Sequence, residues 1–207
     1  MKSIVAIISA LLFTTSLAIA QPEEGFTSLF DGKTFNGWKT ATENTNTWRI
    51  EDGALVANGA RCHLFYAGDG KPFKNFELKV DVKTEPHSNG GIYFHTKYQE
   101  AGWPTNGFEC QVNVSHSDYK KTGSLYDVAN LGNTPARDNE WWTQHITVKG
   151  NRVTVKINDV LVLEYIEPPG AQPQAFARKL GEGTFALQGH DPKSVVRYKN
   201  IRVKRLD

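Results

Sequence analysis

The chain has only two cysteines, almost no helical periodicity, and no long apolar run after its first 20 residues. The missing apolar run excludes a helix spanning a membrane in the mature chain. The net charge over 207 residues is only +2, and the Lys and Arg residues are scattered rather than gathered into a basic patch. We therefore expect no nucleic-acid partner and no stable membrane insertion of the mature chain.

Several catalytic signatures are also absent. The chain has no Gly-x-Ser-x-Gly elbow, no phosphate-binding glycine loop and no His-Glu-x-x-His motif. Its six histidines are dispersed, and its two cysteines lack zinc-ligand spacing. The sequence therefore requires no cofactor, although a bound divalent metal stays open as an alternative.

The first 20 residues have the pattern of a signal peptide. Lys2 is a short positive n-region, the stretch 4–17 is apolar apart from small or hydroxylated residues, and Ala18-Ile19-Ala20 is a small-x-small cleavage pattern. A retained membrane anchor is the alternative, but it needs roughly 20 apolar residues. We predict that 1–20 is a cleaved signal peptide and that 21–207 is a single β-sandwich domain, periplasmic or secreted.

The cysteines, Cys62 and Cys110, allow two interpretations. An oxidising compartment permits a disulfide between them. Each could equally be a small buried apolar residue. Their separation in space does not follow from the sequence, so both interpretations stay open.

Alternation of period two dominates the mature chain. It runs without error through 76–83 and recurs at 153–157 and 201–204, with apolar side chains on one face and polar ones on the other. Gly150-Asn151 and Asn158-Asp159 separate three such segments and tolerate the positive φ of two-residue hairpins. We predict a three-stranded meander over 142–166 and an all-β fold made of a two-sheet antiparallel sandwich.

The segment 107–113 carries the most suggestive polar row. On a strand, Glu109, Gln111 and Asn113 share the face opposite Phe108, Cys110 and Val112. A carboxylate and two amides in a row suit the hydroxyl groups of a sugar. The alternative is an ordinary half-exposed strand whose polar face meets water.

Three further clusters could join this row. Tyr126 could stack on a sugar, with Asp127 beside it as a hydrogen-bond acceptor or base. His95 follows Tyr93 on a strand that begins with two glycines, which let a ligand approach closely. His190 with Asp191 could form an acid or base that works near neutral pH. A turn-favouring Asp or a structural His is the plain alternative in each case.

The ordered set of motifs resembles the 3-keto-disaccharide hydrolase domain family. The segment 25–38 is similar to the family's opening Leu-Phe-Asp/Asn-Gly … Gly-Trp, and 48–55 to its Trp … Asp-Gly-x-Leu. The segments 76–78, 89–91, 107–111, 123–127, 187–190 and 198–202 follow in the family's order. The chain departs from the pattern with Gly90 in place of Ser, His95 in place of Arg, and Gly189 and Asp191 exchanged.

The resemblance implies a concanavalin-like jelly roll and action on glycosides already oxidised at C3. A ketone at C3 acidifies the C2 hydrogen, so a base can remove that hydrogen and expel the C1 oxygen. The route needs a base, a group that stabilises the enolate and an acid. We hypothesise that Glu109 or His190 is the base, that His95 or Gln111 faces the enolate, and that Asp127 or Tyr126 faces the leaving group. The predicted catalytic residues are therefore Glu109, His190 and Asp127. The predicted substrate-binding residues are Gln111, His95, Tyr126, Gln188, Asn89 and Tyr93.

Two other functions are compatible with a sandwich. A non-catalytic carbohydrate-binding module would use Trp103, Trp141 or Trp142 as a stacking platform. An ordinary glycosidase would need two catalytic carboxylates, about 5 Å apart in a retaining enzyme. The Glu-x-Asp-x-x-Glu strand signature of laminarinase-type enzymes is absent, which weakens the glycosidase interpretation.

Overall fold

Thirteen strands and one short 3-10 turn form the part of the chain that the computed structural model describes, residues 23–173 and 178–207. The predicted signal peptide, 1–20, lies outside the described residues. In that same described part, no helix is long and apolar enough to cross a membrane. The strands are β1 Thr27–Ser28, β2 Trp38–Thr40, β3 Trp48–Glu51, β4 Ala54–Ala57, β5 Cys62–Tyr66, β6 Phe76–Thr84, β7 Asn89–Thr96, β8 Phe108–Asn113, β9 Trp142–Lys149, β10 Arg152–Ile157, β11 Val160–Ile166, β12 Thr184–Gly189 and β13 Val196–Arg205, and the 3-10 turn is Thr45–Thr47.

The strands form two antiparallel sheets. The larger sheet has the order β11-β10-β9-β6-β13-β4-β3, with β1 also paired to β13, and the smaller sheet has the order β2-β5-β12-β7-β8. The predicted meander is present as β9, β10 and β11, and its turns place Gly150, Asn158 and Asp159 at positive φ. The predicted all-β, two-sheet antiparallel sandwich is confirmed.

The larger sheet follows its sequence pattern closely. Along β6, buried and partly exposed residues alternate over the whole strand, because one face packs on the core and the other meets solvent. The apolar residues of both sheets form one hydrophobic cluster that includes Phe76, Val80, Ile92, Phe94 and Val112.

The smaller sheet differs, because loops cover its second face as well. Every residue of β7 and of β8 is buried. The segment 122–126 runs along the free edge of β8 through backbone hydrogen bonds, including Gln111 N to Ser124 O at 2.9 Å and Tyr126 N to Glu109 O at 2.9 Å. The polar row of β8 is therefore enclosed by protein, and this enclosure forms the site described below.

Both cysteines are free thiols and buried, so no disulfide joins Cys62 to Cys110. Each cysteine is therefore a small buried apolar residue, as the second of the two interpretations of the sequence expected. Burial raises the pKa of Cys62 to about 11 and that of Cys110 to about 12. Gln144 of the larger sheet donates a hydrogen bond to the sulfur of Cys110 at 3.0 Å, which links the two sheets across the core.

Gly90 is required by packing in the core. A Cβ atom at this position would lie 2.7 Å from the hydroxyl oxygen of Tyr198. Tyr198 is completely buried and belongs to β13 of the opposite sheet. We predict that Gly90→Ala lowers the free energy of unfolding by about 1–3 kcal/mol, and that Tyr198→Phe in the same chain restores part of the loss. Urea unfolding of the single and double variants measures both effects.

Gly132→Ala is the matched control, because a Cβ atom there would meet nothing within 4 Å. Its effect should stay within about 0.5 kcal/mol. Equal effects of Gly90→Ala and Gly132→Ala would contradict the packing argument.

Candidate active site

A cavity of about 360 Å³ opens on the face of the smaller sheet that points away from the core. Strand alternation explains its composition, because the residues between the core residues of β7, β8 and β12 point to this face. The cavity is lined by Asn89, Tyr93, Trp103, Glu109, Gln111, Tyr126, Asp127, Arg178, Gln188 and His190. Eight of the nine predicted site residues are therefore brought together, and His95 is the exception. Their roles stay predictions.

Glu109 is the centre of the hydrogen-bond network in the cavity. Its Oε2 accepts from the hydroxyl of Tyr93 at 2.8 Å, and its Oε1 accepts from Nε2 of Gln188 at 2.9 Å. The same Nε2 also donates to the Tyr93 oxygen at 2.9 Å. Gly91 makes room for this network, because a Cβ atom there would lie 2.7 Å from Oε1 of Glu109.

Arg178 completes the network with a buried ion pair. Its guanidinium lies 3.3 Å from Oε2 of Glu109, and the two side chains are 2% and 6% exposed. Burial raises the pKa of Glu109, while the hydrogen bonds and the charge of Arg178 oppose that rise. Arg178 was not predicted from the sequence: it follows a proline-rich stretch without periodicity, 69 residues after its partner.

His190 lines another wall of the cavity and is hydrogen-bonded to Asp191 behind it. Nδ1 of His190 lies 2.7 Å from Oδ2 of Asp191, which also accepts from the Ser194 hydroxyl at 2.7 Å. Burial alone would raise the pKa of Asp191, but these two hydrogen bonds lower it overall. Because an ionised carboxylate only accepts, the proton of neutral His190 lies on Nδ1 and Nε2 keeps a free lone pair.

Tyr126 and Asp127 lie at the end of the segment that borders β8. Oδ1 of Asp127 is 2.6 Å from the ammonium of Lys120, which lies 3.7 Å from the ring centre of Tyr126. Burial would lower the pKa of Lys120, but Asp127 and Tyr126 raise it overall. Asp127 is therefore held next to a cation at the cavity wall.

Asn89 and Gln111 form the amide side of the cavity. They lie diagonally opposite each other on the paired strands β7 and β8, and their side chains are joined by a 3.1 Å hydrogen bond. Asn89 also lies 3.4 Å from Nδ1 of His116, whose ring centre is 5.8 Å from that of His190.

The prediction that His95 shares the polar face with Tyr93 is wrong. His95 has φ +55°, and the pairing of β7 with β12 shifts register at this point. The extra residue reverses the alternation, so the ring packs on Phe76 and is held by Lys74 O at 2.9 Å and Gly181 N at 3.1 Å. His95 has a structural role outside the cavity.

Of the three tryptophans considered as stacking platforms, only Trp103 lines the cavity. Trp142 is 2% exposed. Trp141 is exposed, and the ammonium groups of Lys83 and Lys199 lie 5.1 and 4.0 Å from its ring centre. Trp103 lies in the long loop that follows β7, and its ring centre is 5.3 Å from that of His190.

His63 on β5 is a further buried histidine next to the cavity, and sequence reasoning did not single it out. Its ring centre is 5.3 Å from that of Tyr93 and 5.6 Å from that of Trp103. Burial lowers the pKa of His63 to about 3, although the charge of Glu43 opposes the shift.

Within residues 23–173 and 178–207, no group of three or more His, Cys, Asp or Glu side chains could hold a metal ion.

Comparisons with known proteins identify relatives of the chain. A family model described as the 3-keto-alpha-glucoside-1,2-lyase-like domain matches residues 25–204. The sequence is 32% identical to a 3-keto-disaccharide hydrolase of Bacteroides thetaiotaomicron, over 93% of this chain and 82% of that protein. The predicted family resemblance is confirmed.

Solved structures have the same architecture. A proposed glycosyl hydrolase of Parabacteroides distasonis superimposes with a TM-score of 0.74 at 26% identity, over 89% of this chain and 95% of that chain. The carbohydrate-binding module CBM66 of Bacillus subtilis superimposes with a TM-score of 0.57 at 16% identity, over 82% and 96% of the two chains. The second likeness shows the fold alone. The predicted jelly-roll sandwich is confirmed.

The buried His63 predicts a specific pH dependence of stability. The folded protein keeps this ring neutral down to about pH 3, whereas the unfolded chain binds a proton at about pH 6.5. The wild type therefore loses stability as the pH falls below about 6.5, by about 1.4 kcal/mol per pH unit from this group. His63→Phe removes that loss and keeps the aromatic packing.

Urea unfolding at pH 7.5 and pH 4.5 tests this prediction. Between pH 7.5 and pH 4.5, the free energy of unfolding of the wild type should fall by roughly 2–3 kcal/mol more than that of His63→Phe. Parallel pH curves for the two proteins would show that His63 becomes protonated in the folded state.

Proposed function

This chain belongs to the 3-keto-alpha-glucoside-1,2-lyase-like domain family, and from that premise we propose that it cleaves 3-keto-glycosides by base-assisted elimination or hydrolysis. The substrate class includes 3-keto-disaccharides. The observation that carries the proposal is the pair of His190 and Asp191, 2.7 Å apart, whose imidazole lines a cavity that is also lined by carboxylate and amide side chains.

His190 is the proposed base. Asp191 holds its proton on Nδ1, which leaves the Nε2 lone pair to take the hydrogen from C2 of the 3-keto sugar. The C2–H electrons then form an enolate with the C3 carbonyl. Collapse of the enolate breaks the C1–O bond, the leaving oxygen takes a proton, and water adds to the unsaturated product afterwards.

Arg178 is the proposed stabiliser of the enolate. It is the positive group of the buried network, and a fixed positive charge in a site shielded from water stabilises a developing oxyanion strongly. Glu109 then acts by holding Arg178, Tyr93 and Gln188 in place, because three donors already occupy its carboxylate. This arrangement favours His190 over Glu109 as the base.

Tyr126 is the proposed donor to the leaving oxygen. The hydroxyl of a tyrosine can donate a proton, and the neighbouring Lys120 ammonium stabilises the charge that remains. Asp127 balances the charge of Lys120. Gln111 and Asn89 are left to bind sugar hydroxyls.

An ordinary glycosidase fits this cavity less well. Its mechanism needs one carboxylic acid and one carboxylate that are free to act. Glu109 is paired with Arg178 and Asp127 with Lys120, so each carboxylate of the cavity is bound to a cation.

The base assignment predicts the effect of one substitution. His190→Asn should lower kcat by roughly 10²- to 10⁴-fold, because asparagine cannot accept the C2 proton. Release of reducing sugar from a 3-keto-disaccharide measures the rate, with the unoxidised parent sugar as a second substrate. Deuterium at C2 should slow the wild type if removal of that hydrogen limits turnover.

His145→Asn is the control, because His145 lies in the larger sheet, 3.0 Å from Glu77. It should keep the wild-type rate. Full activity of His190→Asn would refute the assignment. If the wild type binds sugar but cleaves neither substrate, the protein is a carbohydrate-binding module instead.

Export is part of the proposal. A signal peptide over 1–20 would deliver the enzyme to the periplasm or the medium, where glycosides outside the cytoplasm are its substrates. Expression of the full chain in a bacterial host should give a mature N-terminus at Gln21. N-terminal sequencing of the exported fraction checks the cleavage site, and intact protein that begins at Met1 and stays in the cytoplasm would contradict it.

A further inference from the structure

Three buried polar atoms next to the cavity lack hydrogen-bond partners among the described residues. They are Nδ1 and Nε2 of His63 and Oε1 of Gln188. His63 and Gln188 are directly paired across β5 and β12, so the three atoms belong to one place in the sheet. Because buried polar atoms in folded proteins are almost always bonded, this cluster points to a partner that arrives with a ligand.

Trp103 lies between this cluster and the solvent. The indole is partly exposed and contacts the completely buried ring of His63, with 5.6 Å between ring centres. The hydrogen bonds of Gln188 determine the orientation of its amide, because Nε2 donates one proton to Glu109 and the other to Tyr93. Its Oε1 is therefore left to accept.

The backbone of the loop that carries Trp103 is hydrogen-bonded to Thr42 and Glu43. The indole itself is held by ring contacts and by the Arg61 guanidinium, 5.1 Å from its ring centre. Glu43 accepts from the backbone of Gly102 at 2.9 Å, and Gln99 donates to the Trp103 carbonyl at 2.8 Å. Gly102 precedes the tryptophan and has φ +81°. Such a loop can move its indole at a lower cost than a strand can.

The sheet order gives the length of ligand that this arrangement would bind. From Glu109 on β8 to His63 on β5 the sheet passes through β7 and β12. Three spacings of about 4.8 Å make roughly 14 Å. That distance suits two sugar rings rather than one.

We propose that His63 and Oε1 of Gln188 form a subsite for the leaving sugar ring of a disaccharide, opened when the Trp103 indole moves aside and stacks on that ring. This inference rests on the proposed function. A neutral imidazole offers one donor and one acceptor, and the amide oxygen offers a second acceptor. Adjacent hydroxyl groups of a sugar match this set. The apolar face of the ring fits the indole.

The test compares a two-ring with a one-ring substrate. For His63→Phe, KM for a 3-keto-disaccharide of glucose should rise roughly tenfold, with kcat nearly unchanged. KM for methyl 3-keto-glucoside, which lacks the second sugar ring, should stay at the wild-type value. The thermal midpoint should not fall, because the lost ring nitrogens had no partner in the described part of the fold.

Two controls separate binding from structure. His145→Phe breaks a bonded histidine of the other sheet and should lower the thermal midpoint while leaving both KM values unchanged. Trp103→Phe should remove the change in tryptophan fluorescence that the disaccharide causes in the wild type. If His63→Phe does not fold, His63→Leu takes its place.

Calorimetric titration with the unoxidised disaccharide keeps the two proposals apart. Tenfold weaker binding by His63→Phe supports the subsite even if the wild type cleaves neither 3-keto sugar, a result that would overturn only the proposed function. Unchanged binding and KM, or an equal loss for the one-ring and two-ring sugars, would overturn the subsite.

Discussion

The buried ion pair between Glu109 and Arg178 is the constraint on which the candidate site depends. Each charge would be strongly destabilising in this position without the other. The pair brings the segment after the proline-rich loop against β8, and the carboxylate then orients Tyr93 and Gln188. Gly91 is part of the same constraint, because any side chain there would fill the space of the carboxylate.

This constraint assigns charge stabilisation and proton transfer to different parts of the site. The ion-pair network is buried and central, so it suits the stabilisation of charge on a bound sugar. The pair of His190 and Asp191 lies at a strand end and is partly exposed, with side chains 29% and 32% accessible. An exposed imidazole can exchange its proton with solvent between turnovers, which a buried carboxylate cannot do easily.

Part of the site was predictable because strand geometry is local. Alternation along β8 placed Glu109 and Gln111 on one face of that strand. The same period placed Tyr93 on the polar face of β7 and Gln188 on the polar face of β12. The same period failed at His95, where one extra residue in β7 shifts the register. Arg178 could not be predicted, since no local pattern specifies which distant segment supplies the counter-charge of a buried carboxylate.

The sequence by itself determined the two-sheet sandwich, the meander of β9 to β11 and the polar faces of the central strands, because period-two patterns and hairpin turns act over a few residues. Only the tertiary structure decided that the polar row is enclosed rather than solvated, that the cysteines stay apart, and that Trp103 and Arg178 join the cavity. Those outcomes depend on contacts between segments far apart in the chain, and their geometry exists only once the two sheets have packed.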